Sequence, residues 1–249
     1  MTVVAVSGAG GNMGRLVAEA VVGSSDLSLG ALYDPACEGM AVATGVATGD
    51  QAAVESADVV VEFTNPGVVM GNLTAWHDLG VHAVVGTSGF DEARLDEVTA
   101  MWGSGPPNCL IAPNFSIGAV LMMRFAELAS PHFSAAEIIE LHHDGKADAP
   151  SGTALATARL LQPGKRRVES EELASGARGA DVGGVRVHAV RLPGLLAHQE
   201  VILGDRGQTL TIRHDTSDRS AFLPGVMLAV RRIADMPGAT VGLEGLLGV

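Results

Sequence analysis

Thr2-Val3-Val4-Ala5-Val6-Ser7-Gly8-Ala9-Gly10-Gly11-Asn12-Met13-Gly14 opens the chain with a β-branched run that breaks into glycines. Beyond it, as far as Val22, Met13, Leu16, Val17 and Ala20 recur at helical spacing. Residues 2–7 are therefore predicted as a strand and 12–22 as a helix, joined by the glycine turn. In such a unit the glycines let the backbone turn tightly and approach a pyrophosphate, which meets the free N–H groups and positive end of the helix. Met13 sits where the strict Gly-x-Gly-x-x-Gly fingerprint has its third glycine, so Gly8, Gly11 and Gly14 form a Gly-x-x-Gly-x-x-Gly variant. A purely structural turn is the alternative, but the place between first strand and amphipathic helix favours dinucleotide binding. Gly8, Ala9, Gly10, Gly11, Asn12, Met13 and Gly14 are the expected phosphate loop.

Outward from this unit, strand and helix patterns alternate. A strand over residues 27–33 ends at Asp34, twenty residues beyond Gly14, where a carboxylate can accept from adenosine ribose hydroxyls. That leans toward NADH over NADPH, because no Lys or Arg occurs between Arg15 and Arg94 and only Arg15 remains to meet a 2′-phosphate. Use of either cofactor stays open, and Asp34 also suits a turn before Pro35. A buried strand at 59–63, a helix at 66–79 and a strand at 82–85 continue the alternation, which implies a parallel sheet with ligands at its carboxyl ends. Three strand ends carry small polar groups: Glu62-Phe63-Thr64-Asn65-Pro66, Val85-Gly86-Thr87-Ser88-Gly89-Phe90 and Ala112-Pro113-Asn114-Phe115-Ser116-Ile117-Gly118. Phe63, Thr64, Gly86, Thr87, Ser88, Ala112, Pro113, Asn114 and Phe115 are the candidates there for the nicotinamide ribose and amide, with Asn114 able to meet the carboxamide.

The last of these segments is read as a domain boundary. After it come a helix over 119–129, a strand over 136–141, a helix over 154–161, and strands over 185–191, 199–203 and 208–214 that read as antiparallel. The tail over 220–234 is helical, with Phe222, Val226, Ala229, Val230 and Ile233 on one stripe that is expected to pack back on the first domain. The predicted fold is α/β: a Rossmann-like dinucleotide-binding domain formed by residues 1–112 plus 220–249, and an α+β domain on a mixed or antiparallel sheet over 113–219.

Within the second domain, Glu140-Leu141-His142-His143-Asp144-Gly145-Lys146-Ala147-Asp148-Ala149-Pro150-Ser151-Gly152-Thr153 concentrates chemistry. Of sixteen basic residues only Lys146 and Lys165 are lysine. A partly buried lysine can release a proton near neutral pH where arginine cannot, so Lys146 points to proton transfer. Ser151, Gly152 and Thr153 precede a helix whose positive end suits a carboxylate, although a plain helix cap is the simpler use of the serine. A metal is not expected: adjacent His142 and His143 rarely both reach one ion, and Lys146 would repel it. His188 and His214 fall in predicted strands, His198 borders one, and all three read as structural.

Composition excludes several classes. The 249 residues are 47% hydrophobic with a net charge of −12, and the pI is near 5.0. No basic run exceeds Lys165-Arg166-Arg167, read as a solvated helix-end cluster, so nucleic-acid binding is not expected. Cys37 and Cys109 alone make no disulfide framework, which suits a reducing cytoplasm. No leader and no apolar run long enough to span a bilayer is evident, so the chain reads as cytoplasmic.

Taken together, the stretches from Val6 to Gly14, Glu62-Phe63-Thr64, Gly86-Thr87-Ser88-Gly89, Ala112 to Gly118 and Glu140 to Thr153 resemble 4-hydroxy-tetrahydrodipicolinate reductase, the dihydrodipicolinate reductase family of the diaminopimelate route to lysine. The resemblance covers essentially the whole chain; Ser88 departs from the usual threonine but keeps the hydroxyl, and a basic residue after the second strand is absent. It implies hydride delivery from NAD(P)H to a cyclic, imine-conjugated dicarboxylate, with His142 as acid/base residue, Lys146 as proton donor, and His143, Ser151, Gly152 and Thr153 as substrate contacts. It also implies a homotetramer assembled through the sheets of the second domain, residues 113–219. Two other readings stand beside it: an NAD(H)-sensing module without chemistry, and a reductase of another cyclic imine or keto acid. The first of these gives no reason for a lysine and two histidines beside a carboxylate-sized turn.

Overall fold

A computed structural model describes residues 1–164 and 170–249. The run Lys165-Arg166-Arg167 lies outside the described residues. Two compact units divide the chain, one formed by Met1–Ser116 with Phe222–Val249, the other by Ile117–Ala221.

In chain order the first unit carries β1 (Thr2–Ser7), α1 (Asn12–Val22), β2 (Leu27–Tyr33), a small hairpin of β3 (Ala41–Val42) and β4 (Gly45–Val46), then β5 (Val59–Glu62), α2 (Val69–Asp78), β6 (His82–Val85), α3 (Glu92–Trp102) and β7 (Cys109–Ile111). The second unit follows with α4 (Ile117–Ala129), β8 (Ala135–His142), α5 (Gly152–Leu160), β9 (Ala180–Val182), β10 (Val185–Arg191), β11 (Ala197–Asp205) and β12 (Gln208–Thr216). The chain then re-enters the first unit as α6 (Leu223–Arg232), β13 (Ala239–Val241) and α7 (Glu244–Leu247).

The first unit is a doubly wound parallel sheet in the order β13-β7-β6-β5-β1-β2. Its central strands β1, β5 and β6 are short Val-rich runs, mostly buried, as a sheet covered by helices on each side requires. On one face Val60, Val69, Leu73, Trp76, Val98 and Trp102 form the core that α2 and α3 close. Full burial stabilises each such side chain by about 1.5–3 kcal/mol, which outweighs weak local propensity. α1 packs against α6. Strand order reverses between β1 and β5, the place where open α/β sheets bind ligands outside the strand carboxyl ends.

The second unit holds a mixed sheet in the order β12-β11-β8-β10-β9. β11 runs antiparallel to β8 and to β12, but β10 runs parallel to β8, where an antiparallel arrangement was expected of that strand. α5 lies between β8 and β10 in the chain and provides the crossover that a parallel pair needs. One face of this sheet packs on α4 and α5 through Met122, Ala126, Ile138, Ala154, Ala158, Val187, Val201 and Leu203. Among the described residues no helix is long and apolar enough to cross a membrane.

Candidate active site

In the first unit, parallel strands bring the sequence candidates to one rim. Gly8 to Gly14 follow β1, Asp34 follows β2, Phe63 and Thr64 follow β5, Gly86 to Ser88 follow β6, and Ala112 to Phe115 follow β7. Gly8 has φ +78°, and a Cβ there would stand 2.3 Å from the Phe63 carbonyl oxygen. At Gly14 a Cβ would stand 2.1 Å from the Gly8 carbonyl oxygen, so only glycine lets α1 meet the turn. Most N–H groups of the turn are engaged: Gly8 and Ala9 donate to the Tyr33 carbonyl, Gly11 to that of Gly8, and Gly10 to Asp34 Oδ2 at 2.9 Å. α1 has no side-chain cap, which leaves the first-turn N–H groups of Asn12 and Met13 without an intrahelical acceptor. A glycine cradle and an uncapped helix start fit the pyrophosphate of a nicotinamide dinucleotide.

Asp34 does two jobs in this turn. Oδ1 accepts from Ala36 N at 3.1 Å and Oδ2 from Gly10 N, so the carboxylate stitches β2 to the glycine loop. Arg15, exposed beside it, donates to the Gly10 carbonyl at 3.0 Å and to Met40 Sδ at 2.8 Å. At the neighbouring rim Thr64 N donates to Thr87 Oγ1 at 2.8 Å, while the Thr64 hydroxyl donates to the fully buried Glu62. Asn72 at 3.3 Å and Trp76 Nε1 at 3.1 Å complete the donors to that carboxylate. Glu62 has no role in the sequence reading beyond the quoted motif; a carboxylate ending an all-valine strand was its signal. Phe63 packs on Phe115 with ring centroids 5.8 Å apart. Asn114 Oδ1 accepts from Ser116 N at 2.8 Å, while Ser88 and Pro113 are exposed.

In the second unit β8 ends at His142, and the following turn is closed by Lys146 N donating to the His143 carbonyl at 3.2 Å. His142, its side chain 15% exposed, turns Nδ1 to the Glu140 carboxylate. Glu140 is completely buried, receives Arg191 at 2.9 and 2.8 Å on its two oxygens, and takes the Ser151 N–H at 3.2 Å. Burial holds the His142 imidazolium below its usual range, Glu140 opposes that, and Lys146 and Arg191 add to it. Lys146 Nζ lies 2.7 Å from Asp148 Oδ1, and this contact holds the Asp148 carboxyl below its ordinary range. The Ser151 hydroxyl accepts from Ala154 N at 3.2 Å as the cap of α5, so the first-turn N–H groups of Gly152 and Thr153 are the ones left for an anion.

His142, Lys146, Ser151, Gly152 and Thr153 thus share one corner of the second unit, joined by residues the sequence reading left without a role. Glu140 carried a legible signal, since Glu-x-His on a strand puts both side chains on one face. Arg191, 51 positions from Glu140, carried none, because only the β8–β10 register sets Arg191 beside His142. His188 is bonded to Glu137 at 2.8 Å and His198 to Asp215 at 2.7 Å.

Comparison with known proteins converges on one group. Residues 2–115 match the model described as dihydrodipicolinate reductase, N-terminus, and residues 118–247 the one described as dihydrodipicolinate reductase, C-terminus. The 4-hydroxy-tetrahydrodipicolinate reductase of Nocardia farcinica is 54% identical over 98% of both chains, and that of Mycobacterium marinum 50% over 99% of both. Among solved structures, the dipicolinate-bound dihydrodipicolinate reductase of Paenisporosarcina sp. superposes with a TM-score of 0.87 at 35% identity, covering 98% of this chain and 99% of that one. A myo-inositol dehydrogenase of Corynebacterium glutamicum, 16% identical with a TM-score of 0.61 over 96% of this chain and 90% of that one, shares the fold alone. With both halves of the chain matched in order and near-full-length relatives at half identity, the chain belongs to the dihydrodipicolinate reductase family.

Proposed function

We propose that this chain reduces 4-hydroxy-tetrahydrodipicolinate to tetrahydrodipicolinate in the diaminopimelate route to lysine. The observation that carries the reading is the corner of the second unit where His142, Lys146 and the start of α5 meet. The bound dinucleotide supplies a hydride; the net change adds that hydride and one proton to the substrate and releases one water. First-turn N–H groups of Gly152 and Thr153 hold a substrate carboxylate at the positive end of α5. His143 contacts the ring. Hydride addition to a conjugated ring leaves an electron-rich enamine, which Lys146 protonates while His142 exchanges protons as acid and base. Positioned acid catalysis of this kind contributes about 10²–10⁴-fold.

On the first unit, Asn12 and Met13 N–H groups meet the pyrophosphate, and Phe63, Thr64, Gly86, Thr87, Ser88 and residues 112–115 serve the nicotinamide half. NADH is the preferred cofactor, NADPH the second. The Asp34 carboxylate repels a 2′-phosphate, and Arg15 is the one cation near it in the sequence between residues 1 and 94. The protein acts as a homotetramer built through the open face of the second unit's sheet, where half-buried Ile139, Leu141, Val190 and Ile202 share the face with Glu137, Arg186 and Glu200.

The test is oxidation of NADH, and separately NADPH, by the purified protein with the fresh condensation product of pyruvate and aspartate semialdehyde. Substrate-dependent oxidation that disappears in Lys146→Ala, and is faster with NADH, is expected. NADH binding without oxidation of either cofactor would leave a sensing module or a reductase of another cyclic imine.

A further inference from the structure

Glu140 sits at the centre of the corner, and three separate groups converge on its carboxylate through four contacts. Both oxygens receive the Arg191 guanidinium, Oε1 also receives the Ser151 backbone N–H, and Oε2 faces His142 Nδ1. A carboxylate forked by a guanidinium and bonded to a backbone amide is an acceptor, so the His142 nitrogen facing it carries the proton and Nε2 is the one left to exchange protons. Arg191 extends the connection: Nη2 donates to the Asp148 carbonyl at 2.6 Å, and the Asp148 side chain takes Lys146 Nζ at 2.7 Å. One buried ion pair therefore reaches the histidine, the lysine loop and the serine that starts α5.

We infer that Glu140, anchored by Arg191, is a positioning residue that fixes the tautomer and orientation of His142 and holds it in register with the carboxylate-binding start of α5. The inference rests on the reading of His142 as the acid/base residue. Physically it is the arrangement in which a buried carboxylate orients a histidine and stabilises its cationic form. It also accounts for a charge with no exposure at all. A buried ion pair alone is weak evidence for stability, and replacing it by apolar groups is often neutral, so its presence here is explained by what it orients. The charged groups facing His142 are Glu140, Lys146 and Arg191, of which only Glu140 favours the protonated ring.

Glu140→Gln removes the charge and keeps the shape. With NADH affinity retained as the sign of an intact protein, kcat is expected to fall about 10²–10⁴-fold, in line with loss of an oriented proton-transfer group. KM changes far less, and the alkaline limb of the pH–kcat/KM profile moves to lower pH because the group favouring protonated His142 is gone. Glu140→Asp restores part of kcat. Should Arg191 left without its partner unfold Glu140→Gln, the double variant Glu140→Gln with Arg191→Met removes the buried charge and gives the same readouts. A folded variant with wild-type kcat and pH profile overturns the inference, and so does a loss of kcat with an unmoved pH limb and no recovery in Glu140→Asp, which marks a merely structural group. If His142→Gln keeps full turnover, the failure lies in the reading of His142 itself.

Discussion

A single methyl group tests the first turn. At Gly8 it would meet the Phe63 carbonyl at 2.3 Å while the backbone holds φ +78°, a region side chains avoid. Gly8→Ala is expected to cost about 1–3 kcal/mol, read from urea unfolding, and to weaken NADH binding in a fluorescence titration because the turn that presents α1 must shift. Unchanged affinity would remove the turn from cofactor binding. Across the site the division of labour predicts the opposite pattern. His142→Gln and Lys146→Ala are expected to lower kcat by about 10²–10⁴-fold and to leave the NADH dissociation constant alone, since every candidate cofactor residue belongs to the first unit. A parallel loss of NADH affinity would contradict that division.

Among the elements, β13 shows how a short segment is held by side chains rather than by propensity. Asn108, buried before β7, donates to the carbonyls of Ile233 at 2.9 Å and Ala234 at 3.2 Å, and accepts from Gly238 N at 3.2 Å. Asn108→Ala leaves these buried groups unpaired at about 1–3 kcal/mol each. Its thermal midpoint is expected to drop by several degrees, with exchange of the β13 amides rising first; uniform exchange would show that β13 is not separately fastened. The same element marks where sequence reading stops. β1, α1, β2 and the rim motifs were legible because local periodicity and glycine spacing specify them. β13 and β9 are three-residue strands that only a neighbouring strand defines. The direction of β10 was likewise hidden, because parallel pairing with β8 depends on where α5 crosses and not on the alternation within the strand. Lys146 and the histidines stood out by residue type, whereas Glu140 read as motif filler and Arg191 as one of fourteen arginines.

At the scale of the whole molecule, acid sensitivity follows from half-buried histidines. His82, His142 and His214 all have their ring protonation held below the ordinary value of 6.5, in each case chiefly by burial. At His82 burial outweighs the opposing pull of Asp58, while Nδ1 faces the Asn108 N–H at 2.8 Å. A group whose folded-state value is depressed adds stability above its unfolded value and loses it as pH falls through the folded one, because the unfolded chain takes up the proton first. The window therefore opens just below 6.5, well above the range in which Asp148 and Asp215, themselves depressed by Lys146 and Arg213, add their own losses. One effect opposes this. The charge of −12 shrinks as pH approaches the pI near 5.0, which relieves self-repulsion in the compact state. Exposed charges are screened beyond about 8 Å at 0.15 M salt while buried ring desolvation is not, so the histidines win under those conditions. Urea unfolding at fixed 0.15 M ionic strength is expected to give a free energy that declines steadily from about pH 7 to pH 5, and a flat or rising curve would show that charge relief outweighs the cost of protonating the three rings.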